Sequence, residues 1–169
     1  MTALVVIGVD PGPIPGLAVL AYADGHLAET RTLQCSANFI ALLLREEIVH
    51  AKAPINGALT EDEPTTVLLS VERYLPSKMG NRMLAAGQNA QTRDMAARLV
   101  AEYAQGWPWL RTVSYPAAPV MRWATEDRLR KVGAWEITTG CAHARSAAKH
   151  ALYAAVKDGN MPDPLSRKA

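Results

Sequence analysis

The decapeptide Ala3-Leu4-Val5-Val6-Ile7-Gly8-Val9-Asp10-Pro11-Gly12 decides how the rest of the 169-residue chain is read. Seven consecutive apolar or small residues with no polar alternation predict a strand buried on both faces, the pattern of a central strand covered by helices. The run stops at Asp10. Pro11-Gly12-Pro13-Ile14-Pro15-Gly16 is too rich in Pro and Gly to continue a strand or to start a helix. An acid at the carboxyl end of a buried strand, followed by a turn that lets a ligand come close, stands where open α/β sheets place their sites. It is also a common turn cap, and taken alone Asp10 fits either role.

Outward from this stretch, Leu17–Ala23 reads as a second apolar strand, and Asp24-Gly25 as a hairpin turn into a third strand near Leu27–Leu33. Ser36 or Asn38 can cap a helix whose Phe39, Leu42, Leu43, Ile48 and Val49 recur at helical spacing. Residues 54–66 form a loop with the acidic triplet Glu61-Asp62-Glu63. Val67–Val71 is a short buried strand that ends, like the first, on an acid, Glu72. The polar segment 73–87 is a surface loop, Asn89–Gln105 a helix stopped by Gly106, and Arg111–Tyr115 a fifth strand. Short helical pieces over 117–133, with Thr125 as a cap and Gly133 as a stop, lead to a last helix at about Ala142–Lys157. This β-β-β-α-β-α-β-α order predicts a mixed five-stranded α/β sheet flanked by helices. The domain is expected over residues 1–158, with 159–169 as a tail.

Composition narrows the function classes. Hydrophobic residues make up 49% and charged residues 20% of the chain, which fits one globular domain and excludes a disordered one. No apolar run approaches the roughly 18 residues of a membrane span, and no basic, signal-like start precedes the first strand. Cys35 and Cys141 are too few for a disulfide scaffold or zinc knuckle, so a reducing, cytoplasmic setting is expected. The formal net charge of +2 divides unevenly: −3 over residues 1–110 and +5 over residues 111–169. A basic last third fits a polyanionic partner, and equally a solvated surface.

Glu72 repeats the arrangement of Asp10. If their strands are neighbours the two carboxylates converge and repel, and a divalent cation resolves the repulsion. On the last helix, His143, Ser146 and His150 fall within about 60° of one face, and the surrounding alanines let that helix lie close to a sheet. His143, in the first turn, is best placed to point toward an open site. For His150 the plainer reading is a donor to backbone or a surface residue.

Taken together, Gly8-Val9-Asp10-Pro11-Gly12 with its following hairpin, Glu72 on a later strand, Tyr115-Pro116 before Val120-Met121-Arg122, and a terminal helix opening with His143 resemble the ribonuclease H-like fold. The likeness is to the RuvC family of Holliday junction resolvases. In Ala147-Ala148-Lys149-His150-Ala151-Leu152-Tyr153 it is to the phage-encoded branch. The resemblance spans about residues 3–157. It implies an endonuclease that resolves four-way junctions and other branched DNA with two Mg²⁺ or Mn²⁺ ions, in a bacterium or in a phage's bacterial host. Asp10, Glu72 and His143 would be the catalytic and metal-binding residues, together with position 146. There the family carries an acid and this chain carries Ser146, which supplies no charge. Two divalent ions would then meet only two carboxylates, so weakened metal occupancy and cleavage are expected. A non-catalytic or engineered inactive junction binder, or another ribonuclease H-like nuclease, stays open.

The resemblance also implies a C2 homodimer, because a junction has two symmetric scissile phosphates. Met95, Leu99 and Tyr103 offer a dimer face that ordinary core packing explains as well. Lys78, Arg82, Arg122, Arg128, Arg130, Lys131, Arg145 and Lys149 would meet DNA phosphates, with Tyr74 or Leu75 as a wedge between unstacked bases. An actin-type nucleotide-binding fold starts similarly, but the chain is too short for two such lobes.

Overall fold

The computed structural model of the chain describes residues 3–52, 65–73, 94–95, 98–99, 102, 106–107 and 109–166. Strand β1 (Ala3–Asp10) is buried along its whole length. It is the middle strand of a five-stranded sheet, as its unbroken apolar run requires. Antiparallel to it lies β2 (Gly16–Ala23), which pairs in turn with β3 (His26–Gln34). On its other side β4 (Thr65–Arg73) runs parallel and pairs with β5 (Leu110–Pro116), giving the order β3-β2-β1-β4-β5. The mixed sheet flanked by helices expected from the sequence is therefore present. The β2–β3 hairpin turns through Asp24 and Gly25, both at positive φ, as a two-residue loop between Ala23 and His26.

Strand parity divides the core. Val5, Ile7 and Val9 of β1, with Val67, Leu69 and Val71 of β4, face α1 (Ile40–Lys52). Leu4 and Val6, with Leu68, face the opposite layer. That layer holds α2 (Ala117–Trp123), α3 (Glu126–Lys131), α4 (Ala134–Ile137) and the long α5 (Ala142–Lys157). Fully buried Ile7, Leu20, Leu68 and Leu152 each contribute about 1.5–3 kcal/mol. On the α5 side, small residues replace large ones. A Cβ on Gly8 would sit 2.1 Å from the Ala147 carbonyl oxygen, and one on Gly16 would sit 2.0 Å from that of His143. The helix thus rests on the sheet backbone at two points, with Ala144, Ala147, Ala148 and Ala151 in the seam. Asp10 and Glu72 are each an even number of residues from these α5-facing positions, so both carboxylates emerge on the α5 side.

Two expectations change. The buried face of α1 is Ile40, Leu44, Ile48 and Ala51, whereas Phe39, Leu42 and Val49 are more than half exposed. Apolar residues occupy two faces of this helix, and spacing alone does not say which one meets the sheet. Residues 159–166 also fold back rather than trail away. Asp163 takes a two-pronged contact from Arg128, at 3.0 and 2.7 Å, and Met161 packs against the α5-side core. Of the offered dimer face, Leu99 is buried in the α1-side core and Met95 packs against it, while Tyr103 lies outside the described residues. None of the described helices is long and apolar enough to cross a membrane.

Candidate active site

The register pairs Val9 of β1 with Val71 of β4, so the next residues along, Asp10 and Glu72, stand side by side where both strands end. α5 crosses above them, with His143 over Asp10 and Ser146 and His150 over Glu72. The His143 imidazole Nδ1 lies 3.0 Å from Asp10 Oδ2, and the Ser146 hydroxyl donates to Glu72 Oε2 at 3.1 Å. His150 Nε2 is 3.2 Å from the same Oε2, within ion-pair distance but not aligned as a hydrogen bond. The one-face arrangement of His143, Ser146 and His150 expected from helical spacing is what brings all three to the carboxylates.

Anchoring of the helix start is the part the sequence did not reveal. The backbone N–H of His143 donates to the Gln34 side-chain oxygen at 3.1 Å, tying the first turn of α5 to the end of β3. Gln34 looks like any polar residue at a strand end, and only the crossing of α5 over Gly16, its β2 partner, makes it a support of the site.

The two acids differ electrostatically. Burial pushes the Asp10 carboxyl above its usual range, and the negative charge of Glu72 adds to this; His143 and Ser146 offset only part. Glu72 is also pushed up by burial, but the His150 contact, the Ser146 hydroxyl and His143 outweigh it and hold the group below its usual range. Two neighbouring carboxyls with affinities for protons driven apart are the arrangement by which one site supplies both a proton-holding group and a charge-holding one.

The donors available to a cation are hard oxygens: Asp10, Glu72 and the Ser146 hydroxyl. Among the described residues, no three His, Cys, Asp or Glu side chains gather with metal-ligand spacing. Two carboxylates and one uncharged hydroxyl are a sparse donor set for two divalent ions. Hard oxygens of this kind suit Mg²⁺, which keeps several waters in its coordination shell.

The basic residues separate into two groups. Arg128 is held by Asp163 and the Trp123 carbonyl oxygen and stacks 4.5 Å above the Trp123 ring. Arg145 is held by Thr138 and lies 4.0 Å above the Trp135 ring. Arg130 pairs with Glu126 and Glu136. These guanidiniums tie the α2–α4 layer to itself, to α5 and to Asp163. Arg122 and Lys131 are exposed. Half-buried Lys149 has its ammonium pKa pushed down, by burial first and then by the charge of Arg145. Lys78, Arg82, Tyr74 and Leu75 lie outside the described residues.

No protein-family model matches the chain, and no curated protein does. Solved structures do. One is the Thermus thermophilus RuvC in complex with a Holliday junction substrate, at 17% identity over 88% of this chain and 90% of that one, with a TM-score of 0.44. Another is a Thermus thermophilus RuvC structure at 18% identity over 95% and 99%, TM-score 0.39. A third is a ribonuclease H1 isolated from compost by a metagenomic approach, at 16% identity over 68% and 83%, TM-score 0.28. At such distances the roles of the site residues rest on this chain's own geometry.

Proposed function

We propose that the chain is a metal-dependent endonuclease acting on branched DNA, of the RuvC type. The observation that carries the reading is the meeting of Asp10 and Glu72 beneath His143 and Ser146, at the ends of two parallel strands. A divalent cation held by Asp10 and Glu72 would polarise a phosphodiester and lower the pKa of a water molecule bound to it. The chain's own groups do the rest. His143, about two-fifths exposed, uses Nδ1 on Asp10, which keeps its other ring nitrogen for a proton arriving from the attacking water. Asp10, with its raised proton affinity, steadies an imidazolium so formed. Ser146 holds Glu72 in place without adding charge. Arg122, Lys131 and Lys149 would meet phosphates, contacts that position DNA without reading its sequence. Two copies acting as a dimer would address the two strands of a junction. Likeness to the phage branch rests on residues 147–153.

The test is cleavage of a synthetic four-way junction with Mg²⁺ or Mn²⁺, beside flap and duplex substrates. Paired symmetric nicks specific to the junction are expected, lost in Asp10→Asn. Cleavage of all three substrates alike would turn the reading toward a general ribonuclease H-like nuclease. Ser146 favours one second reading, a junction binder that does not cut. Tight, salt-sensitive junction binding without nicks, with cleavage gained in Ser146→Asp, would establish it.

A further inference from the structure

We propose that His150 is a positioning residue that holds the Glu72 carboxylate from the buried side, a role that presumes Glu72 is a working residue of the site just described. His150 is 0% exposed, and neither ring nitrogen has an aligned hydrogen-bond partner among the described residues. A buried imidazole in an alanine-rich seam is costly unless some polar group answers it, and a leucine would fill the same place without that cost. The polar group within reach is Glu72, whose Oε2 lies 3.2 Å from His150 Nε2. Ser146 donates to that same oxygen at 3.1 Å. Two side chains from successive turns of α5 therefore grip one oxygen of Glu72. Among the described residues no hydrogen bond or ion pair engages the other, Oε1.

The geometry fits support rather than chemistry. With no solvent exposure, His150 touches neither a substrate nor attacking water. Its effect passes through Glu72, in the way outer-shell groups orient a metal-ligating side chain. Ser70 stands two residues before Glu72 on the same strand face, with its hydroxyl likewise buried and without a partner among the described residues. The floor under Glu72 is thus polar where the rest of the α5 seam is apolar.

His150→Leu keeps the volume and removes the nitrogens, and His150→Gln puts an amide near the place of Nε2. In the full chain without metal, the side-chain carboxyl ¹³C resonance of Glu72 reports its setting directly. It is expected to move in the leucine variant and to return toward the wild-type position in the glutamine variant. Mn²⁺ affinity by calorimetry should fall about tenfold or more in the leucine variant, with its melting temperature at or above that of wild type. A leucine variant that folds with an unchanged Glu72 resonance and unchanged Mn²⁺ affinity would overturn the proposal. Should it fail to fold, His150→Gln and His150→Asn carry the test, because the shorter asparagine does not reach Glu72; equal resonances in those two and wild type would overturn it as well. If wild type binds no Mn²⁺ and cuts no junction, yet the Glu72 resonance answers to position 150, the nuclease reading falls and the positioning role stands.

Discussion

The site contains two carboxylate–imidazole pairs that look alike in sequence and differ in almost every physical respect. Asp10 and His143 form the outer pair: the imidazole is 42% exposed, and the acid ends the central strand. Glu72 and His150 form the inner pair, whose imidazole is 0% exposed. The outer acid has its pKa raised and the inner acid has its lowered. Depth alone would raise both. The inner acid escapes because His150 and Ser146 answer its charge, whereas the outer acid faces that charge as a neighbour. The pair with the exposed imidazole is therefore the one suited to exchange protons, and the pair with the buried imidazole the one suited to hold charge still.

The comparison breaks first at the acids. Asp10→Asn and Glu72→Gln should each lower junction cleavage by about a thousandfold or more, since each removes half of the charge available to a cation. A loss confined to one of them would mean that only one pair works. Next in size is the seam between the layers. Gly8→Ala forces a methyl into the Ala147 carbonyl and should cost about 3 kcal/mol, read as a fall in denaturant midpoint. Tolerance of this change would show that α5 can lift from the sheet. Ser146→Asp should raise cleavage and Mg²⁺ affinity by about tenfold; no gain would separate position 146 from the metal altogether.

The smallest effect is the sharpest test of the contrast, because the two acids should answer pH with opposite signs. Glu72, with a folded pKa held below its unfolded one, contributes stability that is present above the unfolded value and is lost as pH falls through the folded one. Asp10, with a raised folded pKa, favours the fold below its unfolded value and loses that contribution as pH rises through the folded one. At neutral pH, Asp10→Asn should therefore raise the melting temperature and Glu72→Gln should lower it. Near about pH 3, where both carboxyls are largely protonated when unfolded, the difference should narrow. Two melting series decide it, and shifts of the same sign would refute the contrast.

Legibility in the sequence followed how many physical constraints met at each place. β1, the Asp24-Gly25 hairpin and α5 were readable because burial, turn chemistry and alanine content each pointed one way. The face of α1 was not, since Phe39, Leu42 and Val49 compete with Ile40, Leu44 and Ile48 and only the sheet chooses between them. In the site, Asp10, Glu72, His143 and Ser146 were legible as strand-end acids and a helix face. The depth of His150 was not, because one side of an arc of about 60° meets solvent and the other the sheet. Arg128 shows a further gap: its partner Asp163 sits 35 positions away, in a stretch that reads as a tail.

One consequence follows from the two points where α5 lies on bare backbone. With Gly8 and Gly16 beneath it, no side chain stands between helix and strand to act as a cushion, so the spacing from His143 and Ser146 to the two acids is set by backbone thickness. The sheet and helix behave as a closed vice whose gap has no adjusting screw. A side chain larger than hydrogen at either glycine would widen that gap and draw His143 and Ser146 away from the acids.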